Sequence, residues 1–186
     1  MDIEIRKLIP SMAEDYARFH DRTPYYGEKE NINCYCVTWR SGGWSDECGH
    51  WFPTPEERRR RAVEFIKDGY IQGYLAYLGD KAVGWCNANA DFPGGVDYLR
   101  NGYPIEEYRA DVRVKSIFYY MVAPEMQRKG VATQLCEHVC KDAAEDGLDY
   151  VEAYVDNPGL LAMYDKCGFI RCAEREGKVV VRRALK

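Results

Sequence analysis

Residues 127–136 read Gln127-Arg128-Lys129-Gly130-Val131-Ala132-Thr133-Gln134-Leu135-Cys136, directly after an apolar stretch at residues 117–122. The apolar stretch predicts a strand and the residues after Gly130 predict a helix, so the glycine lies in the tight turn between them. The first N–H groups of a helix have no partner inside it and lie at the positive end of its dipole. Gly130 lets the main chain approach a ligand closely, and Arg128 and Lys129 add positive charge. The stretch therefore predicts a phosphate-binding turn. The alternative is a basic turn that only begins a surface helix.

The composition favours one folded domain spanning residues 1–186. A chain of 186 residues can bury a sizeable core, and 46% hydrophobic residues argue against disorder. The formal net charge of −4 argues against a general nucleic-acid binder. One basic block, residues 58–61, consists of four arginines, and we expect it to form the solvated face of a helix.

The amino terminus and the cysteines indicate a cytoplasmic protein. The first six residues, Met1-Asp2-Ile3-Glu4-Ile5-Arg6, lack the apolar core of a signal peptide, and no apolar run approaches the ~20 residues that span a bilayer. We therefore expect no membrane partner and reduced thiols for the eight cysteines. Cys86, Cys136 and Cys140 are expected to be buried apolar groups.

Two helix starts can be recognised from their side chains. Ser11 and Glu14 have the spacing of a capping box. Thr54-Pro55-Glu56-Glu57 places an N-cap before a proline at the first helical position, and Gly69 then predicts the end of that helix.

The predicted elements give the fold class. Strands are expected at residues 3–8, 70–78, 82–89, 115–122, 150–155, 169–173 and 179–183, with further helices at residues 130–145 and 159–166. One face of the first of these two helices is apolar and consists of Val131, Leu135, Val139 and Ala143. This order predicts an α/β fold with a mixed, mostly antiparallel central sheet and helices on both faces. The aromatic-rich segment at about residues 21–53 and the loop at residues 91–110 are the irregular parts.

A second motif follows the predicted strand at residues 150–155. It reads Asn157-Pro158-Gly159-Leu160-Leu161-Ala162-Met163-Tyr164-Asp165-Lys166-Cys167-Gly168-Phe169. Together with the turn at residues 127–132, it resembles the two signatures of the GNAT superfamily of acetyl-CoA-dependent N-acetyltransferases, and the element order is similar too. The resemblance covers most of the chain and weakens across the two irregular parts.

The resemblance implies a role for each motif position. It implies that acetyl-CoA is the co-substrate and that its pyrophosphate is bound by Gln127, Arg128, Lys129, Gly130, Val131, Ala132 and Thr133. The pantetheine arm would contact the main chain of Tyr120, Met121 and Val122 and the side chain of Asn157. By the same resemblance, the Val122 N–H would stabilise the oxyanion and Tyr164 would protonate the leaving thiolate. Read without the family, Asn157 is a helix N-cap and Tyr164 a core aromatic.

The general base is open at this stage. Glu152 is the best-placed carboxylate by pattern, because it lies on the strand face opposite its apolar neighbours and would face the cleft. A solvated surface glutamate is the alternative. Asp91, Asp97 and Glu107, in the loop at residues 91–110, are further candidates.

The aromatic-rich segment also contains possible metal ligands. Cys34 and Cys36, like Cys48 and His50, are one residue too close for the usual spacing of a structural zinc site. We therefore expect no metal and favour reduced thiols near the substrate cleft. The aromatic residues are expected to wall the acceptor pocket or, alternatively, to form a local core.

The sequence thus predicts a cytoplasmic N-acetyltransferase that transfers acetyl from acetyl-CoA directly to a primary amine in a ternary complex. The acceptor is a small molecule or a peptide whose identity the residues do not give. The family also contains many dimers, so a homodimer is compatible with the resemblance. The alternative function is a non-catalytic acyl-CoA-binding sensor or regulatory module.

Overall fold

The computed structural model describes residues 2–23, 33–37, 52, 54–89, 112–175 and 178–186. Its strands are β1 (Glu4–Lys7), β2 (Gly73–Leu78), β3 (Lys81–Asn89), β4 (Val114–Val122), β5 (Tyr150–Val155), β6 (Ile170–Arg175) and β7 (Lys178–Ala184). The helices are α1 (Ala13–Arg22), α2 (Pro55–Lys67), α3 (Val131–Glu145) and α4 (Pro158–Lys166), with short 3₁₀ turns at Pro10–Met12 and Pro124–Met126.

The strands form one sheet in the order β1-β2-β3-β4-β5-β7-β6. Neighbouring strands are antiparallel except β4 and β5, which are parallel. Parallel neighbours need a crossover connection, and α3 supplies it. The predicted mixed, mostly antiparallel sheet is confirmed.

Two successive residues of β3 show that helices cover both faces of the sheet. A Cβ atom on Gly84 would lie 2.8 Å from Cγ1 of Val131 in α3. The Trp85 ring instead packs edge-on against Tyr16 of α1, with the ring centroids 4.8 Å apart. Because successive strand residues point to opposite faces, α1 and α3 lie on opposite sides of the sheet, as predicted.

The predicted elements of the second half match the observed ones closely. Strand β5 spans the predicted residues 150–155, and α3 begins at Val131, one residue after the predicted start. The predicted apolar face of α3 is buried along its whole length, and its members are Val131, Leu135, Val139 and Ala143. The buried thiols of Cys86, Cys136 and Cys140 are also confirmed.

One of the two predicted helix starts is confirmed and the other is wrong. Thr54 Oγ1 accepts a hydrogen bond of 3.1 Å from the Glu57 N–H, and Gly69 follows the end of α2 with φ +76°. Ser11, in contrast, lies inside the turn Pro10–Met12, and no side chain caps α1. The physical reason is Pro10, whose fixed φ suits the first position of a helical turn and starts that turn before the serine can cap it.

The expectation of a solvated arginine face at residues 58–61 is wrong for its first member. Arg58 is only 3% exposed, whereas the next three side chains keep 34–54% of their surface exposed. The Arg58 guanidinium donates to the carbonyl of Asn33 at 2.8 Å and to the carbonyl of Phe52 at 2.5 Å. Main-chain acceptors therefore compensate for the burial of this charge.

Membrane-spanning helices are absent from the described part of the chain. Each helix there is too short or too polar to cross a bilayer.

A buried lysine links β4 to α3 through an ion pair. Lys115 Nζ donates to the Tyr74 hydroxyl at 2.9 Å and to Asp142 Oδ2 at 3.1 Å, and only 6% of the lysine side chain is exposed. Asp142 also accepts hydrogen bonds from Tyr74 and from Lys7. Burial alone would raise the pKa of Asp142, but these three donors outweigh it and lower the pKa from 3.8 to about 2.

This network predicts a loss of stability in acid. Because the folded-state pKa of Asp142 is below the unfolded value, its contribution is present above about pH 4 and is lost as the pH falls towards 2. With 22% of the side chain exposed, we expect a contribution of about 1–2 kcal/mol.

The measurement is chemical unfolding of the wild type and Asp142→Asn from pH 6 to pH 2. The stability difference between them should shrink by about 1–2 kcal/mol across this range. Asp156→Asn, at an exposed residue outside this network, is a control for general acid effects. A difference that stays constant with pH would contradict the assignment.

Candidate active site

Strands β4 and β5 separate halfway along β4. Their parallel pairing runs from Val114 opposite Tyr150 only as far as Ile117 opposite Ala153. Strand β4 nevertheless continues to Val122, still paired with β3. Strand β5 continues to its end paired with β7. A wedge-shaped opening therefore lies between two adjacent strands of one sheet.

An irregularity in β4 coincides with the start of this opening. Asn87 pairs with Tyr119 and Ala88 with Ile117, so Phe118 is an extra residue on β4. An extra residue bends its strand and increases the local twist. The bulge thus gives a physical reason for β4 to turn away from β5 at this point.

Main-chain groups of β4 face the opening. The Ala123 N–H donates to the Val83 carbonyl of β3 at 3.0 Å. Because main-chain groups alternate in direction along a strand, those of Val122 and Tyr120 point away from β3, towards the opening. The same alternation directs the main chain of Met121 to β3, and its side chain is buried.

The turn after β4 ends in the exposed start of α3. Gly130 is the N-cap with φ +82°, a left-handed conformation that favours glycine, and no side chain caps the helix. The Gln134 N–H donates to the Gly130 carbonyl, which is the first bond of the helix. The N–H groups at residues 131–133 consequently have no partner within the described residues, and the first turn contains no acidic side chain.

The side chains of this turn are exposed, and two of them are positively charged. Gln127, Arg128 and Lys129 are exposed, and neither basic residue makes an ion pair with the described residues. Arg128 has φ +61°, which is uncommon for a side-chain-bearing residue. Gln127 Nε2 donates to the Val122 carbonyl at 3.3 Å and so connects the turn to the opening. The arrangement has the donors and the positive charge that an anion requires.

Gly84 holds this turn close to the sheet. Any side chain there would overlap Val131, and Leu135 lies only 3.3 Å from the same position. The first two turns of α3 therefore rest almost on the main chain of β3. Sequence reasoning did not single out Gly84, although a glycine in a strand often marks such a close approach.

Asn157 caps α4 on the other side of the opening. Its Oδ1 accepts hydrogen bonds from the N–H groups of Gly159 at 2.8 Å and Leu160 at 3.2 Å. The capping interpretation is thus correct for the oxygen atom. The amide NH₂ group has no partner within the described chain, so it is still able to donate to a ligand.

Tyr164 lies in the last turn of α4 and is buried. Its ring packs edge-on against Phe169 at 4.8 Å and lies 6.2 Å from the Tyr120 ring of β4. Burial raises the pKa of the Tyr164 hydroxyl well above its ordinary value of 10. The phenol is therefore protonated at neutral pH.

Glu152 is fully buried, in contrast to the solvated alternative. Its carboxylate accepts hydrogen bonds from the hydroxyls of Ser116 at 2.9 Å and Tyr154 at 3.0 Å, and it pairs with Arg182 at 3.0 Å. Arg182 is 3% exposed, so both charges are inside the protein. Glu152 lies opposite Ser116 in the register, one pair before β4 and β5 separate. The sequence pattern placed Glu152 on the correct strand but gave no sign of its three donors.

The remaining candidates are only partly described. Asp91, Asp97, Glu107, Cys48 and His50 lie outside the described residues. Cys36 is buried and its sulfur accepts a hydrogen bond of 3.4 Å from Trp85 Nε1. In the portion of the chain for which coordinates are described, no group of three metal-ligating side chains is close enough to hold a metal ion.

Comparison with known proteins identifies the class. Residues 15–169 match the model of the acetyltransferase (GNAT) family. This match covers most of the chain, and the chain therefore belongs to the GNAT family of acetyltransferases. No functionally curated protein matches the chain significantly.

Solved structures show the same fold at low sequence identity. PaiA N-acetyltransferase from Thermoplasma acidophilum, in complex with coenzyme A, is 16% identical, with 99% of each chain covered and a TM-score of 0.58. An acetyltransferase from Thermus thermophilus is 20% identical, with 100% of this chain and 98% of that chain covered and a TM-score of 0.59. The ribosomal-protein-S18-alanine N-acetyltransferase from Escherichia coli is 12% identical, with a TM-score of 0.55 and coverage of 100% and 95%.

Two substitutions distinguish the capping oxygen of Asn157 from its amide NH₂ group. Asn157→Ala removes the cap of α4 and should lower the free energy of unfolding by about 1 kcal/mol. Asn157→Ser keeps a capping oxygen and should be close to wild type in stability, although it also lacks the amide group. Chemical unfolding of both variants measures this. Equal destabilisation of the two variants would contradict a capping role.

Proposed function

We propose that this protein is an N-acetyltransferase that transfers acetyl from acetyl-CoA to a primary amine by direct attack in a ternary complex. The observation that carries this proposal is the opening between β4 and β5. Within the described residues, it has main-chain groups of β4 that are not paired with another strand on one wall, a helix start without a side-chain cap at one end and a buried phenol on the other wall. Family membership supports acetyl transfer, and a family fold in complex with coenzyme A supports the cofactor.

The pyrophosphate of acetyl-CoA is proposed to bind at the start of α3. Three N–H groups at residues 131–133 and the helix dipole favour an anion there, and Gln127, Arg128 and Lys129 supply further donors. The small side chains of Ala132 and Thr133 leave the approach to these N–H groups uncrowded.

The pantetheine arm is proposed to enter the opening like a missing strand. The main-chain groups of Tyr120 and Val122 face that side, so the amides of pantetheine can pair with them. Asn157, across the opening, has an amide NH₂ group that can donate to the same arm. To reach the Val122 carbonyl, the arm has to displace the side chain of Gln127.

The proposed reaction moves one proton from nitrogen to sulfur. A neutral amine attacks the thioester carbonyl, and the carbonyl oxygen becomes an oxyanion that accepts a hydrogen bond from the Val122 N–H. The carbon–sulfur bond then breaks, and Tyr164 gives its proton to the departing thiolate. The proton that the nitrogen loses restores Tyr164 through solvent or a base. The products are the N-acetylated amine and coenzyme A.

Glu152 stays a prediction as the general base. Its position, one pair before the last β4–β5 pair, favours the role. The donors from Ser116, Tyr154 and Arg182 already use much of its hydrogen-bonding capacity, which favours water as the proton acceptor. Asp91, Asp97 and Glu107 stay predictions as well. The acceptor amine itself is a primary amine of a small molecule or a peptide, and the described residues do not select one.

The cofactor site can be tested by calorimetric titration with acetyl-CoA, with desulfo-CoA and ATP as comparisons. We expect one-to-one binding of both CoA compounds that ATP does not reproduce. Gly130→Glu should abolish this binding, because it places bulk and like charge at the phosphates. Gly130→Ala is the matched control, since a Cβ atom there meets nothing within 4 Å and only the left-handed φ is strained. Normal binding by a folded Gly130→Glu variant would contradict the phosphate site.

The proton donor can be tested by release of coenzyme A thiol across a panel of amines. Tyr164→Phe keeps the ring contacts and should lower kcat by roughly 100-fold, because a positioned general acid typically contributes at least that much. The affinity for acetyl-CoA should stay nearly unchanged. A large loss of affinity with normal turnover would contradict the role. Binding of acetyl-CoA without any transfer would support a sensor module instead.

A further inference from the structure

A second tyrosine lies beside the proposed proton donor. Tyr120 belongs to the part of β4 that has left β5, and its ring centroid is 6.2 Å from that of Tyr164. Its partner in the sheet register is Cys86 of β3. The residue as a whole is partly covered, but its hydroxyl oxygen is buried.

The Tyr120 hydroxyl has no hydrogen-bond partner in the described chain. The Tyr164 hydroxyl and the Cys86 thiol lie near enough to influence its pKa, yet neither meets the geometry of a hydrogen bond. A thiol is also a weak acceptor. Burying a hydroxyl without a partner is unfavourable, and phenylalanine would fill the same space without this cost. The hydroxyl therefore suits a state of the protein in which an acceptor appears next to it.

The proposed reaction creates such an acceptor. When Tyr164 gives its proton to the thiolate, its oxygen becomes a phenolate inside the protein. Burial raises the pKa of Tyr164, which makes this phenolate costly, and the Tyr120 hydroxyl acts in the opposite direction. The other titratable groups with the largest influence on the pKa of Tyr164 are the thiols of Cys86, Cys136 and Cys140, and none of them supplies a positive charge for this task.

We propose that Tyr120 is a positioning residue whose hydroxyl donates a hydrogen bond to the Tyr164 oxygen as Tyr164 protonates the departing thiolate. The proton of Tyr164 goes to sulfur, while the Tyr120 proton stays on its own oxygen. Tyr164 later regains the proton that the nitrogen has released. This inference rests on the proposed function and assigns to the Tyr120 side chain a task separate from that of its main chain.

The test uses Tyr120→Phe, Tyr164→Phe and the double variant. Each is assayed by thiol release from acetyl-CoA with hydroxylamine, a small amine that is unprotonated at pH 7, and with the best amine of the panel. Tyr120→Phe should lower kcat roughly tenfold, the usual effect of losing a hydrogen bond to a charged group. The Kd for acetyl-CoA and the thermal stability should stay close to wild type. The double variant should be no slower than Tyr164→Phe alone.

A matched control removes a phenol hydroxyl elsewhere. Tyr77 of β2 donates to Asp15 at 3.0 Å, and Tyr77→Phe should leave kcat unchanged. A further loss of kcat when Tyr120→Phe is added to Tyr164→Phe would overturn the proposal, because Tyr120 would then act independently of Tyr164. A weaker Kd for acetyl-CoA in Tyr120→Phe with normal kcat would also overturn it and would assign the hydroxyl to ligand binding.

Failure of the underlying function gives a different result. If the wild type releases no thiol with any nucleophile, the proposed acetyl transfer is wrong and the role of Tyr120 is wrong with it. If the wild type is active and Tyr164→Phe is as fast, the proton donor has been misassigned. If only Tyr120→Phe is as fast as the wild type, the inference about Tyr120 is wrong and the proposed function stands.

Discussion

The structure depends on one interrupted row of hydrogen bonds. Strands β4 and β5 pair over four positions and then separate, because β4 bends at Phe118 and continues with β3. A sheet that leaves main-chain groups open to one side is normally at risk of pairing with another chain. Here the open groups are inside the sheet, between two strands, where an extended ligand of the right length can satisfy them. The start of α3 and the end of α4 lie around the same gap because both helices connect directly to its two strands.

The two faces of the sheet differ in chemical character next to the opening. On the α3 face, Tyr120, Tyr164 and several thiols make a neutral, buried environment in which burial keeps the phenols protonated, since it raises the pKa of both. On the α1 face, Glu152 and Arg182 form a buried ion pair held by Ser116. A buried pair of this kind is destabilising if one partner is removed, since the other charge is left without compensation. The pair, together with Ser116, therefore links β4, β5 and β7 one residue pair before the last pair that joins β4 to β5.

The sequence was sufficient for features with local causes. Strand β5 and the apolar face of α3 follow from periodicity, and the start of α2 follows from Thr54 and Pro55, which act within one helical turn. Features that depend on contacts between residues far apart in the sequence could not be predicted from it. Arg58 is buried because the carbonyls of Asn33 and Phe52 come to it from elsewhere in the chain, and nothing in an arginine run reveals them. The donors of Glu152 come from three different strand positions, and the closeness of Tyr120 to Tyr164 depends on the bend in β4. The two family motifs predicted residues on both sides of the opening. The structure is needed to show which of their atoms already make hydrogen bonds inside the protein.

The buried Arg58 also bears on how such a protein diversifies. A single guanidinium on α2 holds the main chain at Asn33 and at Phe52, two points within the aromatic-rich segment that we expect to wall the acceptor pocket. The entropy of closing a loop changes only slowly with its length, so a clamp at two points favours tolerance of insertion and deletion between them, except at the buried core residues Tyr35, Cys36 and Val37. The proposed acyl-CoA site lies on β4, α3 and α4, and neither of these two hydrogen bonds involves those elements. We therefore expect a change of amine acceptor to require changes in this one segment, without changes in the elements of the proposed acyl-CoA site.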